Sequence, residues 1–228
     1  MSRRLRRVRD WLFGDQLGLV VFLSALCFGM LFWRSGAFIN DNVTLARTLE
    51  ALSEGRVWIE RAEGEFLQSP GTNVRDGRVY GRNYGQLVVS LPALVLVTAL
   101  DAVANLRVAL FASMHLAVLA LIVALGDLFD RRRLFTLLGG PLVLGSFLLN
   151  VVIARQRHEP LDTELVALQI TALFAAAFAA VVLYRLVAID RERRLAALVG
   201  TASVVALPVG LWAPVLKRHA FSVLVCVA

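Results

Sequence analysis

Long apolar runs, separated by short arginine clusters, constrain this chain more than any other feature. A helix that crosses a membrane needs roughly 20 apolar residues, and five runs are close to or above that length: 17–33, 106–129, 134–154, 165–189 and 195–216. Hydrophobic residues make up 58% of the chain and charged residues 18%, which is too apolar for a soluble domain. The sequence therefore predicts an all-α fold, a polytopic helical membrane protein with about five crossings.

A sixth apolar run, 87–100, is shorter and contains Pro92. If this run crossed the membrane, the arginine clusters at 131–133 and 191–194 would lie outside, against the tendency of arginine to stay in the cytoplasm. We therefore expect 87–100 to form a re-entrant or juxtamembrane helix on the outer face, since its length suits such an element. Both arginine clusters then lie in the cytoplasm with the basic N-terminus.

This topology divides the chain into five parts. Residues 1–16 form the cytoplasmic N-terminus, 17–33 the first transmembrane helix, and 34–105 a long outer loop with two juxtamembrane helices (43–54 and 87–100). Residues 106–216 form a four-helix transmembrane bundle, and 217–228 are the start of a further apolar segment. The last segment stops in mid-run, where a terminal carboxylate would be costly in hydrocarbon. We expect the front part of a longer integral protein of the cell membrane.

The net charge of +7 does not indicate a nucleic-acid partner. The basic residues form short clusters between apolar runs, which is how the topology of a membrane protein is encoded. Cys27 and Cys226 both lie in apolar runs, where a thiol usually serves as a small packing group. Neither a disulfide framework nor a metal-binding cysteine cluster is predicted.

The outer loop opens with Asp41, which directly follows the first span and is flanked by asparagines. From Val43 to Leu52 apolar residues recur at helical spacing, and Gly55 ends the pattern. This pattern indicates a short helix along the membrane surface. Two compatible roles stay open: Asp41 or Asn42 caps that helix, or Asp41 is an interfacial carboxylate that acts as general base or metal ligand.

Further along the outer loop, the pair Asp76-Gly77 lies between Val74 and Val79. This sequence favours a tight hairpin, because glycine adopts the positive φ that the turn requires. The hairpin would direct three side chains toward the membrane face: Tyr80, Arg82 and Tyr84. Such residues are usually interface anchors, but arginine at an outer membrane surface also suits a lipid-phosphate substrate.

The segment Asp-Gly-Arg-Val-Tyr-Gly-Arg-Asn-Tyr-Gly-Gln at 76–86, followed by Leu-Pro-Ala-Leu, resembles the front end of polytopic GT-C glycosyltransferases. These include the dolichyl-phosphate-mannose protein mannosyltransferases and the aminoarabinose transferases. In that family an acidic motif follows the first span, and juxtamembrane helices lead to a Gly-x-Tyr-Tyr-Ser-Lys-Tyr-Gly-Pro-Gly type segment. The resemblance implies transfer of a sugar from a polyprenyl-phosphate donor to a protein or glycolipid acceptor on the outer face.

The resemblance also implies roles for individual residues. Asp41 stands in the position of the catalytic acidic residue and would take the proton of the acceptor. Arginines of the first outer loop would bind the donor phosphate, and the second outer loop would form the other wall of the site. The substrate-binding residues are then Arg75, Arg78, Arg82, Tyr84, His158 and Asp162. A single carboxylate is a poor divalent-cation site, so no metal ligands are assigned, and a divalent cation is the only cofactor left open.

Two other classes of protein compete with the glycosyltransferase. A transporter subunit would need discontinuous helices, polar groups at the midplane and matching halves, and the halves of this chain do not match. A non-enzymatic membrane scaffold would have no need of Asp41 beside the membrane. Within the spans, His115 is expected to have a hydrogen-bonded packing role, whereas Asp127 and Asn150 are expected near the ends of their helices.

Overall fold

The computed structural model describes residues 3–33, 36, 40–59, 72–155, 161–206, 213 and 219–227. Within these ranges the chain forms nine helices and one short hairpin. In chain order these are α1 Arg3–Phe13, α2 Gln16–Met30, α3 Asn40–Ser53, β1 Asn73–Arg75, β2 Arg78–Tyr80, α4 Tyr84–Val103, α5 Leu106–Leu128, α6 Arg132–Arg155, α7 Thr163–Asp190, α8 Arg193–Val205 and α9 His219–Val227. The all-α polytopic architecture is confirmed.

Four of the described helices, α4 to α7, are long and apolar enough to cross a membrane. A fifth crossing arises if α1 and α2, which are bent by 62° at the break between them, form one broken span. The number of possible crossings agrees with the prediction, but the helices that form them differ. Helix α8 covers 11 residues of the predicted run 195–216, and α2 covers 14 residues of the predicted first span 17–33.

Helix α4 is longer than the run 87–100 from which it was predicted. It contains 20 residues, and Pro92 lies inside it without ending it, which membrane helices tolerate when neighbours compensate for the missing N–H. By length and apolarity α4 is able to cross a membrane. The length argument for a non-crossing helix is therefore wrong, whereas the charge argument is unaffected, and the non-crossing arrangement stays a prediction.

The central helix of the bundle is α7, which contacts α2, α3, α4, α8 and α9. Its alanines are nearly all buried, so neighbouring backbones approach closely. Phe22 of α2 packs between Phe174 and Phe178 of α7, with ring centroids 5.9 and 4.9 Å away. The core therefore surrounds α7, while the α5–α6 pair is attached mainly through the contact of α5 with α2.

Hydrogen bonds fix which helix ends lie together. At the start of α2, the Nε2 of Gln16 donates to the carbonyl of Ala124 near the end of α5, at 3.1 Å. Near the end of α7, the hydroxyl of Tyr184 donates to both carboxylate oxygens of Asp15, at 2.8 and 2.7 Å. Arg193, at the start of α8, pairs with the same carboxylate at 3.3 Å.

The consequence is that the arginine-rich turns of the chain share one end of the bundle. We call this the arginine end and define it as α1 with its link to α2 (3–16), the turn 127–133 and the segment 185–194. The sequence-based topology depends on this arrangement, because it requires both arginine clusters to lie on the same side as the basic N-terminus.

Candidate functional site

The candidate site is built where α3 meets the segment that leads into α4. Helix α3 begins at Asn40, three residues before the predicted start of 43–54, so Asp41 lies in its first turn. The side chain of Asp41 lies outside the described residues, and its catalytic role therefore stays a prediction. The apolar positions Leu45, Ala46 and Leu49 share one face of the helix, as their spacing predicted, and this face is buried in the bundle.

Helix α3 is more enclosed than a helix that lies on a membrane surface. In addition to its apolar stripe, its polar residues Asn42, Thr44 and Thr48 are 1%, 3% and 0% exposed. Its contacts are with α4 and α7. On its outer side Arg47 pairs with Glu50 at 3.1 Å. The helix is thus packed into the bundle, and polar groups line the packed face.

Two buried carboxamides at this junction lack hydrogen-bond partners among the described residues. They are the Oδ1 of Asn42 in the first turn of α3, and both the Oε1 and the Nε2 of Gln86, which is 7% exposed, in the first turn of α4. An unpaired buried polar group costs about 1–3 kcal/mol, and proteins normally satisfy such groups with water or a ligand. The two carboxamides lie on contacting helices, and each requires water or a ligand to satisfy its polar atoms.

Neither carboxamide was among the predicted site residues. The sequence contained one signal: Gln86 is a polar residue directly before the apolar run 87–100. A polar residue at the start of an apolar helix is informative, because burial of its amide requires a partner.

The predicted hairpin is confirmed, and its second strand ends four residues before α4 begins. Strands β1 and β2 are antiparallel, with Arg75 opposite Arg78, and the turn residues Asp76 and Gly77 have φ of +50° and +74°. Positive φ at both positions is the type I′ geometry that matches the twist of paired strands. The backbone N–H of Ile59 donates to Val79 at 2.8 Å, so the segment after α3 extends the hairpin.

The three predicted phosphate-binding arginines occupy different environments. The side chain of Arg75 is 84% exposed and pairs loosely with Asp76 at 3.7 Å. The guanidinium of Arg78 lies 4.2 Å from the centre of the Trp58 ring, a cation–π contact that orients it. Arg82 is half-buried, with its Nε enclosed. Of the three, Arg82 is the least exposed, and it lies two residues before the start of α4.

Gly81 sets the distance between this segment and α3. A Cβ at Gly81 would lie 1.9 Å from the Oγ1 of Thr48, so only glycine permits this approach. The hydroxyl of Thr48 donates to the carbonyl of Thr44 at 2.6 Å and is held in place. The predicted ligand residue Tyr84 donates its hydroxyl to the carbonyl of Val57 at 2.7 Å, which fixes the start of α4 to the segment after α3.

The second predicted wall of the site is described only in part. Asp162 caps α7, since its Oδ1 accepts a hydrogen bond from the backbone N–H of Leu165 at 2.8 Å. His158 lies outside the described residues. No group of three histidine, cysteine or acidic residues that could hold a metal ion occurs in the described part of the chain.

His115 and Asp127 have structural partners, as predicted. His115 of α5 makes a 3.2 Å contact from its Nε2 to the Oγ of Ser146 on α6, and its ring packs against Phe147 at 5.6 Å. Asp127 lies at the end of α5 and pairs with Arg132 at 3.7 Å. These residues join helices or terminate them.

The helices and their arrangement define an integral membrane protein of the polytopic all-α class. No protein-family model, no curated protein and no solved structure matches the chain.

Proposed function

We propose that this protein is a GT-C type membrane glycosyltransferase, which moves a sugar from a polyprenyl-phosphate donor to a protein or glycolipid acceptor at the outer face of the cell membrane. The observation that carries the proposal is that buried amide atoms lack partners on two contacting helices: the Oδ1 of Asn42 and both the Oε1 and the Nε2 of Gln86. A carboxamide both donates and accepts hydrogen bonds, as a sugar hydroxyl does. The hydroxyls of the sugar would therefore form the hydrogen bonds that these amide atoms lack within the protein.

The donor phosphate would bind to the arginines beside these carboxamides. Arg82 is four residues from Gln86 and already half-buried, and a guanidinium binds phosphate oxygens through two parallel charge-assisted hydrogen bonds. Arg75 and Arg78 lie on the exposed hairpin, where they would attract an entering phosphate headgroup. Such groups stabilise the negative charge that develops on the leaving phosphate.

Asp41 would be the general base. It precedes Asn42 in the first turn of α3, so the base and a sugar-binding amide belong to one rigid helix. The acceptor O–H loses its proton to the Asp41 carboxylate, the acceptor oxygen bonds to the anomeric carbon, and the bond from that carbon to the phosphate oxygen breaks. The lipid phosphate leaves with the electron pair.

The proposal is tested with Asp41→Asn and Gln86→Met in cells that express the full-length gene, with membrane glycans followed by mass spectrometry. Both variants are expected to lose a specific glycan at normal membrane abundance. The matched control is Asp76→Asn, which also converts an aspartate of the outer loop to asparagine, at a side chain that is 88% exposed. Asparagine tolerates the positive φ of that position, so this variant keeps the glycan.

Gln86→Met separates a binding role from a structural role. Removal of an unpartnered buried amide does not destabilise the fold and can stabilise it by about 1–2 kcal/mol. Loss of the glycan together with unchanged or raised stability therefore supports the proposal. Unchanged glycans in Asp41→Asn would refute it and favour the transporter subunit or the scaffold.

A further inference from the structure

Helix α1 is an amphipathic helix that the sequence pattern alone did not predict. It is bent by 62° from α2 and exposes Val8 and Trp11, which are 55% and 77% exposed and lie one turn apart. Arg7 is exposed beside them. Exposed tryptophan and valine next to arginine, in a helix turned away from the span that follows, are typical of a helix that lies in the membrane interface.

The orientation of α1 is fixed by contacts at its junction with α2. The ring of Phe13 packs against Phe22 at a centroid distance of 5.0 Å. The Nη1 of Arg9 donates to the Oε1 of Gln16 at 2.9 Å, and the Nη1 of Arg185 on α7 donates to the carbonyl of Trp11 at 3.5 Å. The exposed face of α1 is therefore held in one direction by both neighbouring helices.

The arginine end carries most of the excess charge of the chain. Its three stretches contain twelve arginines against six acidic residues, so they hold six of the seven excess positive charges. The arginines are Arg3, Arg4, Arg6, Arg7, Arg9, Arg131, Arg132, Arg133, Arg185, Arg191, Arg193 and Arg194, and the acidic residues are Asp10, Asp15, Asp127, Asp130, Asp190 and Glu192.

We propose that the arginine end binds anionic phospholipid headgroups of the membrane leaflet that it faces, with Val8 and Trp11 inserted between the lipids. Guanidinium groups match lipid phosphates, and the apolar pair matches the boundary between headgroups and acyl chains. The occupant is a lipid rather than a soluble polyanion, because Arg7 and Arg185 lie beside an exposed apolar pair, on a bundle whose long helices are able to cross a membrane. This inference does not depend on the glycosyltransferase proposal.

The first test measures phosphatidylglycerol bound to the full chain, purified in detergent, by native mass spectrometry. Each basic side chain near an anionic surface contributes about fivefold in affinity, so Arg7→Gln combined with Arg194→Gln should weaken binding by about 25-fold. The matched control is Arg107→Gln with Arg155→Gln, at the start of α5 and the end of α6, which lie at the other end of the bundle. Equal loss in both pairs, or no loss in the first pair, overturns the proposal.

Two further arms distinguish the source of the phosphate and the position of α1. Inorganic phosphate should not displace the lipid, and displacement would show a site for a soluble anion. In a variant that keeps Trp11 and has phenylalanine at the other three tryptophans, brominated phosphatidylcholine in nanodiscs should quench the fluorescence. Fluorescence that resists the brominated lipid but is quenched by acrylamide places Trp11 in water and refutes the interfacial position.

Discussion

The hydrogen bond between Tyr184 and Asp15 is the contact whose removal best tests how the bundle is stabilised. The tyrosine is 2% exposed, and its hydroxyl donates to the carboxylate of Asp15 at 2.8 and 2.7 Å. A hydrogen bond to a charged group contributes about 1.5–3 kcal/mol. Asp15 is 24% exposed and also pairs with Arg193, so water and the guanidinium compensate in part. We therefore expect Tyr184→Phe to lower the free energy of unfolding by about 2 kcal/mol.

The assay is equilibrium unfolding of the purified chain in mixed micelles, followed by circular dichroism. The matched control is Tyr80→Phe, a half-buried tyrosine on β2, which should change stability by less than about 0.5 kcal/mol. A double-mutant cycle with Asp15→Asn should return a coupling of about 1 kcal/mol or more between the two side chains. A Tyr184→Phe variant as stable as the control, or additive effects in the cycle, would refute the claim that this hydrogen bond joins α2 to α7.

Three glycine substitutions should destabilise the fold at separate places. Gly77→Val should cost about 1–2 kcal/mol, because a β-branched residue resists the φ of +74°, and limited proteolysis should then cleave the hairpin faster than in Gly77→Asn. Gly81→Ala should separate this segment from Thr48, since its Cβ would lie 1.9 Å from Oγ1, and crosslinking of paired cysteines on α3 and α4 should fall. Gly200→Ala should lower the unfolding free energy by about 1–3 kcal/mol, because its Cβ would lie 2.8 Å from the carbonyl of Ala180, and unchanged stability would contradict the α7–α8 contact.

The features that the sequence predicted well are those determined by neighbouring residues. The hairpin follows from the Asp76-Gly77 pair, and the buried stripe of α3 follows from the spacing of its leucines. Helix α4 was predicted too short because the apolar run ends at the polar residues Gln86 and Asp101, whereas the helix continues past both and also through Pro92. Within a membrane helix, neighbouring groups satisfy the carbonyl that proline leaves free.

The features that the sequence did not reveal depend on distant partners. Asp15 was placed in a basic N-terminal tail, and nothing near it in the chain shows that Tyr184 reaches it from 169 positions away. The same holds for Asn42 and Gln86, whose missing partners become evident only when α3 and α4 are packed. Helix α1 was not predicted, because its arginines were interpreted as a signal of membrane topology and not as the polar face of an amphipathic helix.

The separation of Asp15 and Tyr184 along the sequence also delays the formation of their contact during biosynthesis. Ribosomes add about 5–20 residues each second, so α2 is complete roughly 8–30 s before the end of α7 emerges to meet it. During that interval the carboxylate of Asp15 lacks the hydroxyl of Tyr184, and the ring of Phe22 lacks Phe174 and Phe178. The α5–α6 pair has no such delay, because its two helices are joined by a turn of three residues. The nascent chain therefore leaves the face of α2 that packs on α7 uncovered until late in its synthesis, and this is the period in which a chaperone within the membrane would matter most.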